Sequence, residues 1–150
     1  MNKDNFAYAV GLARELHALS VFAQHGPEFD WSYYTAVLTH GMESPNYFIL
    51  LARLDGAYVG AVWGKVENFY FSPKRLGLEE AWYVRENTPN RAAIGKQLMQ
   101  AFVDWCINEQ DAVMVQSGDI AGINPSRVDA LYRHMGFTRF GVLFKYVRTT

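Results

Sequence analysis

A single cysteine in 150 residues, Cys106, excludes an internal disulfide, and no set of His, Cys, Asp and Glu has metal-ligand spacing, so no metal is expected. Charge of one sign is equally scarce. A formal net charge of −1 leaves no basic stripe of the kind that a nucleic-acid-binding module carries, so nucleic acid is not an expected partner. No apolar run approaches the length of a membrane span. The N-terminal MNKDNFAYAVGLARELHAL is broken by Arg14 and Glu15 where a signal peptide would need an unbroken hydrophobic stretch. Repeats and low-complexity tracts are lacking too. These absences predict an intracellular, cytoplasmic protein whose partners are small or locally charged.

What is present is a core. Half of the residues are hydrophobic and 15% are aromatic, which excludes disorder. With no block of shifted composition, residues 1–150 are expected to form one domain that folds without staples.

The periodicity predicts an amphipathic helix over Asn5 to Gln24, with Leu12, Leu16 and Leu19 on one face and His25-Gly26-Pro27 as its end. Asp30 is a candidate cap for a second helix to His40, with Trp31, Tyr34 and Leu38 on one side, Gly41 as its stop and Met42 to Asn46 as a loop. Asp55-Gly56 separates two apolar, β-branched runs, Tyr47 to Leu54 and Ala57 to Val66. That pair predicts a hairpin with a type I′ turn, since Gly tolerates positive φ and Asp tolerates it better than most residues. The second strand is expected to run on through Phe69-Tyr70-Phe71, and Gly60 and Gly64 mark bulges or close backbone approaches. Further strands are read around Leu78 to Arg85, Ala112 to Gln116 and Phe137 to Arg148. Asn124-Pro125 opens the last helix, with Asn124 as cap, Val128, Leu131, Tyr132 and Met135 on one face, and Gly136 as its stop.

Glu79 to Trp105 carries the clearest functional pattern: a strand, the turn formers Asn87 to Asn90, then a helix with Ile94, Leu98, Ala101, Phe102 and Trp105 on one face. The first turn of such a helix has backbone N–H groups without partners and a partial positive charge from the dipole, so it suits a phosphate. Ala92, Ala93 and Gly95 allow close approach to the backbone, and Arg91 and Lys96 add whole charges. An ordinary strand-to-helix connection with two solvated cations reads equally well from these residues alone.

Two motifs break that tie. Asn90-Arg91-Ala92-Ala93-Ile94-Gly95, after a strand ending at Val84, resembles the Gln/Arg-x-x-Gly-x-Gly/Ala signature of the GNAT superfamily of acyl-CoA N-acyltransferases. It departs at Asn90, and at Ala93 in place of the first Gly. Ala130-Leu131-Tyr132-Arg133-His134-Met135-Gly136-Phe137 is similar to the family's Ala-Leu-Tyr-x-x-x-Gly-Phe. The family's usual first strand is missing or reduced to the residues before Asn5.

The resemblance implies an α+β (mixed α/β) fold. Its central, mostly antiparallel twisted sheet would splay between the family's fourth and fifth strands, with helices on both faces. It implies transfer of an acetyl or acyl group from acetyl-CoA to a primary amine by direct attack. The pyrophosphate would lie on the backbone of Arg91, Ala92, Ala93, Ile94, Gly95 and Lys96. The pantetheine arm would lie along Tyr83 and Val84, with a backbone N–H near Val84 as oxyanion donor and a contact from Asn124.

An alkylamine with a pKa near ~10.4 must lose a proton before it attacks. Strand alternation makes Glu80, on the face of Trp82 and Val84, the first candidate for the base, and Glu79 the second; a bulge would reverse that order. Tyr132 occupies the family's position for the acid that protonates the leaving thiolate. The acceptor is a small molecule or a protein side chain. The alternative function is a noncatalytic CoA-binding or interaction module of the same fold, and a third reading is an unrelated α+β interaction protein.

Other candidates are weaker. Cys106 reads as buried packing, Ser117 lacks the glycines of a nucleophile elbow, and the four histidines are scattered, with His134 nearest to the expected site. Phe69 to Phe71 would form an edge strand, an acceptor wall or a homodimer contact.

Overall fold

The hairpin over Asp55-Gly56 is the frame on which the other elements are laid. In the computed structural model, which describes residues 3–119, 124–141 and 146, β1 (Tyr47–Leu54) and β2 (Ala57–Asn68) pair antiparallel across a turn with φ of 49° at Asp55 and 84° at Gly56. Both turn residues thus take the positive φ that a type I′ turn requires. β3 (Arg75–Val84) pairs antiparallel with β2, and β4 (Ala112–Gln116) pairs parallel with β3, giving a sheet of order β1-β2-β3-β4.

Alternation along the strands sends side chains into two cores. On one face Ala61, Trp63, Ala81 and Tyr83 meet α1 (Lys3–Leu19) and α3 (Trp31–Glu43) through Val10, Leu12 and Leu38; a short α2 (Phe22–His25) lies between these helices in sequence. On the other face Val62, Val66 and Val84 meet α4 (Arg91–Asp104) through Leu98, Met99 and Phe102. Helices therefore cover both faces of a mixed α+β sheet, as expected. Phe102, Met99 and Leu38 are wholly buried, so truncating Phe102 would cost about 3–5 kcal/mol.

Several boundaries differ from expectation, each for a local reason. The first helix stops at Leu19, where the buried Ser20 hydroxyl donates to the His17 carbonyl and accepts from the Phe22 N–H. Asp30 does cap α3, accepting from the Tyr33 N–H at 2.8 Å, but the helix runs through Gly41 to Glu43 instead of stopping. Gly41 serves close packing: a Cβ there would lie 2.7 Å from the Tyr47 ring. The second strand ends at Asn68, and Phe69 to Phe71 form an exposed turn with their rings packed on one another. After α4 the chain widens into a π-helical turn, Trp105–Glu109, where the Gln110 N–H donates to the Trp105 carbonyl, and Asp111 beyond it takes a φ of 53°.

Α5 (Pro125–His134) begins with proline in its first turn and ends before Gly136 at φ 88°, as expected, but Asn124 does not cap it with its side chain. Asn124 instead adopts a left-handed backbone with a φ of 52°, not the extended conformation typical of a capping residue. Of the strand expected over Phe137 to Arg148, residues 142–145, 147 and 148 lie outside the described residues, and 137–141 and 146 are not in regular structure.

Candidate active site

Two breaks in the regular sheet create the site. Gly60 and Gly64 mark the irregularities expected of them: a register shift falls at Ala52/Arg53 opposite Gly60, and a second falls at Trp63/Gly64. At the second, Trp63 pairs with Ala81 and Gly64 with Glu79, which leaves Glu80 as the extra, bulged residue of β3. Gly is required opposite this bulge, since a Cβ on Gly64 would sit 2.3 Å from the Leu78 carbonyl oxygen. The parallel ladder between β3 and β4 ends at Leu78 and Gln116, whereas β3 runs on to Val84.

The bulge corrects the order of the two carboxylates. Glu80 does not share a face with Trp82 and Val84; its carboxylate accepts a very short hydrogen bond from the Tyr47 hydroxyl and lies 3.8 Å from the Lys65 ammonium. Glu79 takes the face that unbroken alternation assigns to Glu80. Its carboxylate accepts from the Ser117 hydroxyl at 2.7 Å and from the Gly118 backbone N–H, and burial pushes its pKa up to about 7. Desolvation outweighs these two hydrogen bonds, which favour the charged form, and the nearby Glu80 adds to the upward push.

Tyr132 completes the group. Its hydroxyl makes a very short hydrogen bond with Ser117 Oγ, and its ring packs edge-on against Trp82 at 5.3 Å between centroids. Burial raises the Tyr132 phenol above its ordinary range, and the carboxyl of Glu79 pushes it the same way. The expected base and the expected acid thus meet through Ser117, a residue that sequence reasoning set aside. The parallel register places Ser117 directly beyond Gln116, opposite Glu79, and nothing in the local sequence signals that register.

The helix side of the site is formed by α4. Asn90 has a φ of 54° and gives no side-chain cap, so the first N–H groups of α4 lack a partner from that side chain. Ala92, Ala93 and Lys96 are exposed at this end, Ile94 is half-buried and Gly95 is buried. A Cβ on Gly95 would stand 3.3 Å from the Trp82 ring, whose Nε1–H donates to the Gly95 carbonyl at 3.0 Å. Trp82, another residue that sequence reasoning missed, therefore braces the helix start and Tyr132 together. The Arg91 guanidinium turns back to donate to the Val84 carbonyl at 2.8 Å. The Arg85 N–H donates to the Val59 carbonyl on the β2 side, so by strand alternation the Val84 N–H points to the opposite side, where β3 has run past its partner.

These groups line a cavity of about 730 Å³. Tyr83, Val84, Arg91, Ala92, Gly95, Asn124 and Tyr132 reach it, as do both carboxylates, whereas Ala93, Ile94 and Lys96 stand outside its wall. Its other end is built by Glu28, Phe29, Asp30, Tyr33 and Tyr34, with Glu86 and Asp119 adding further carboxylates. No sequence motif marked the carboxylates of this end.

Phe69 to Phe71 do not contribute to the cavity, and His134 meets Lys96 at 3.3 Å outside it. Cys106 is buried, its thiol is pushed up to about 12, and it fills the space beside Gly77, which fits packing rather than reactivity. Among the described residues no group of His, Cys, Asp and Glu could hold a metal, and no helix is long and apolar enough to cross a membrane.

Comparison with known proteins bears on the family and the fold. A family model described as "Acetyltransferase (GNAT) family" matches residues 12–137. No curated protein matches by sequence. Among solved structures, the chain is similar to AAC(6')-Iy in complex with a bisubstrate analogue, CoA-S-monomethyl-acetylneamine, at 17% identity and a TM-score of 0.78, covering 100% of this chain and 95% of that one. It is also similar to the aminoglycoside acetyltransferase meta-AAC0020 from an uncultured soil metagenomic sample, in complex with sisomicin, at 21% identity and a TM-score of 0.67, covering 99% and 93%. A third similar structure is AAC(6')-IG from Acinetobacter haemolyticus, at 11% identity and a TM-score of 0.68, covering 100% and 96%.

Proposed function

The chain belongs to the acetyltransferase (GNAT) family, and from that premise we propose that it transfers the acetyl group of acetyl-CoA to a primary amine, with Glu79 as base and Tyr132 as acid. The observation that carries this reading is the hydrogen-bonded line from Glu79 through Ser117 to Tyr132, in a cavity that also contains the start of α4 and the stretch of β3 beyond its ladder with β4.

The residues present suit acetyl-CoA. The uncapped first turn of α4, with Ala92 and Ala93 exposed and Lys96 beside them, offers backbone donors and positive charge to a pyrophosphate. Ala93 in place of the family's Gly presents only a surface methyl group and removes no donor. The Ile94 N–H already donates to the Asn90 carbonyl at 3.1 Å, so the donors offered are those of Arg91, Ala92 and Ala93, while Gly95 is held by Trp82. The strand end at Tyr83 and Val84 offers an extended edge for an amide-bearing arm, and the Val84 N–H is oriented to stabilise charge on a thioester oxygen. Acetyl-CoA, when bound, supplies the activated acyl group and its thiolate leaving group.

Glu79, with a pKa of about 7, is half ionised at neutral pH and is matched to accepting a proton from the attacking amine. Glu80 is engaged by Tyr47 and Lys65, which makes it the weaker base candidate. The carboxylates of Glu28, Asp30 and Glu86 beside the rings of Phe29, Tyr33 and Tyr34 favour a small cationic acceptor, held by ion pairs and cation–π contacts. An aminoglycoside or a linear polyamine has this chemistry, and aminoglycoside acetyltransferases are among the similar structures. A cytoplasmic location and a single working domain follow from the same reading.

The test is a thermal-shift titration with acetyl-CoA, longer acyl-CoAs and free CoA, followed by turnover assays with an amine panel that includes sisomicin, neamine and spermidine. Saturation at 100 times Kd should stabilise the fold by about 2.7 kcal/mol. Tyr132→Phe should fold and bind acetyl-CoA yet turn over on the order of 10²-fold more slowly; full activity in that variant would sink the acid assignment. Binding without turnover of any amine would identify a noncatalytic module instead.

A further inference from the structure

We infer that Ser117 is a positioning residue that relays a proton from Glu79 to Tyr132 during each turnover, an inference that rests on the acyl-transfer reading above. Ser117 Oγ donates to Glu79 Oε2 at 2.7 Å, and since the hydroxyl carries one hydrogen, its contact with Tyr132 must use the phenol as donor and the serine oxygen as acceptor. The line is thus polarised in one direction before reaction. Every bond in it can reverse together.

The balance of the step is closed. As the amine nitrogen forms its bond to the acyl carbon, it gives a proton to the Glu79 carboxylate, and the breaking C–S bond leaves its electron pair on sulfur. Tyr132 gives its phenolic proton to that thiolate. Ser117 passes its own proton to the Tyr132 oxygen and receives the proton now on Glu79. The products are the amide and the free thiol, and Glu79, Ser117 and Tyr132 return to their starting protonation states.

The relay removes an energetic mismatch. A thiol with a pKa near ~8.5 is a stronger acid than a phenol near ~10, so donation from an isolated tyrosine to the thiolate is uphill by roughly 30-fold. Burial raises Tyr132 further and makes the mismatch worse. Glu79, at about 7, is a stronger acid than the thiol. Linked through Ser117, the net transfer runs from the Glu79 carboxyl to the thiolate and is downhill, with Tyr132 as the last carrier. The other titratable groups acting on this pair are Glu80, on the same strand as Glu79, and Asp119, which follows β4.

Ser117→Ala removes the carrier and leaves the base and the acid in place, and Ser117→Thr keeps a hydroxyl at the same position. With acetyl-CoA and the amine from the panel that turns over best, Ser117→Ala should lower kcat on the order of 10–100-fold with KM for acetyl-CoA unchanged within about twofold, and Ser117→Thr should recover most of the loss. The proton inventory of kcat in mixed H2O and D2O should be curved for the parent protein, as several protons move together, and linear for Ser117→Ala. A kcat for Ser117→Ala within twofold of the parent, a folded Ser117→Thr as slow as Ser117→Ala, or a linear inventory in the parent would each overturn the relay while leaving acyl transfer intact. Absence of acetyl-CoA turnover with every amine in the panel overturns both readings, so the two failures are distinguishable.

Discussion

Replacing Glu79 by Gln separates the charge of this carboxyl from its shape. Gln keeps an oxygen that accepts from Ser117 Oγ and the Gly118 N–H, so the packing and the two hydrogen bonds survive. The folded-state pKa of about 7 lies well above an unfolded glutamate near ~4.3. Below the unfolded value both states are protonated and the folded state carries no penalty. As pH rises from there through 7, the unfolded state releases its proton first, stability falls, and above the folded value it levels off. The full difference amounts to a ceiling of about 3.7 kcal/mol, of which roughly 2 falls between pH 5 and pH 8, since part is already lost by pH 5. Glu79→Gln removes this dependence. Urea melts of both proteins at pH 5 and pH 8 should therefore show the variant gaining roughly 2 kcal/mol on the parent at the higher pH, or several degrees in Tm. The same carboxyl should give kcat/KM an acid limb near 7 that Glu79→Gln abolishes along with most activity. A stability difference equal at the two pH values would refute the raised pKa, and with it the case for Glu79 as base.

Three further outcomes test the scaffold around the site. Asp30→Ala should cost about 1 kcal/mol in chemical denaturation through loss of the α3 cap, without changing acetyl-CoA binding. Gly64→Ala should cost about 3 kcal/mol, because its Cβ would meet the Leu78 carbonyl and the Phe102 ring at once; a neutral substitution would mean that the Glu80 bulge is not held by this glycine. Trp82→Phe removes the donor to the Gly95 carbonyl and alters the ring against Tyr132, so calorimetry should show weaker CoA binding by several-fold and turnover should fall as well.

The hairpin, the β4 strand and the proline-led start of α5 were legible in the sequence because their signals are local: a turn dipeptide, a short apolar run, a proline at the first helical position. The motif around Tyr132 pointed to a residue that does face the cavity. What escaped is non-local. Gly41 looks like a helix stop until Tyr47, from the next element, packs against its bare Cα. Glu80 leads Glu79 until Gly64 on a neighbouring strand forces the bulge. Ser117 looks idle until the parallel register brings it opposite Glu79.

These three failures have a common physical origin, and two of them fall at the site itself. Regular alternation and a complete β3–β4 ladder would direct Glu79 toward a packed interior and close the gap beside Val84. The bulge instead turns one carboxylate toward Tyr47 and the other toward Tyr132. Among the described residues the β3–β4 ladder ends at Leu78 and Gln116, while β3 itself runs on to Val84. The left-handed backbone at Asn90 leaves the first turn of α4 without a side-chain cap. Each departure lowers local regularity, and all three open onto one cavity. A fold that needed only stability would satisfy these groups internally; in the proposed function they serve a ligand that brings both anionic and amide groups, as acetyl-CoA does.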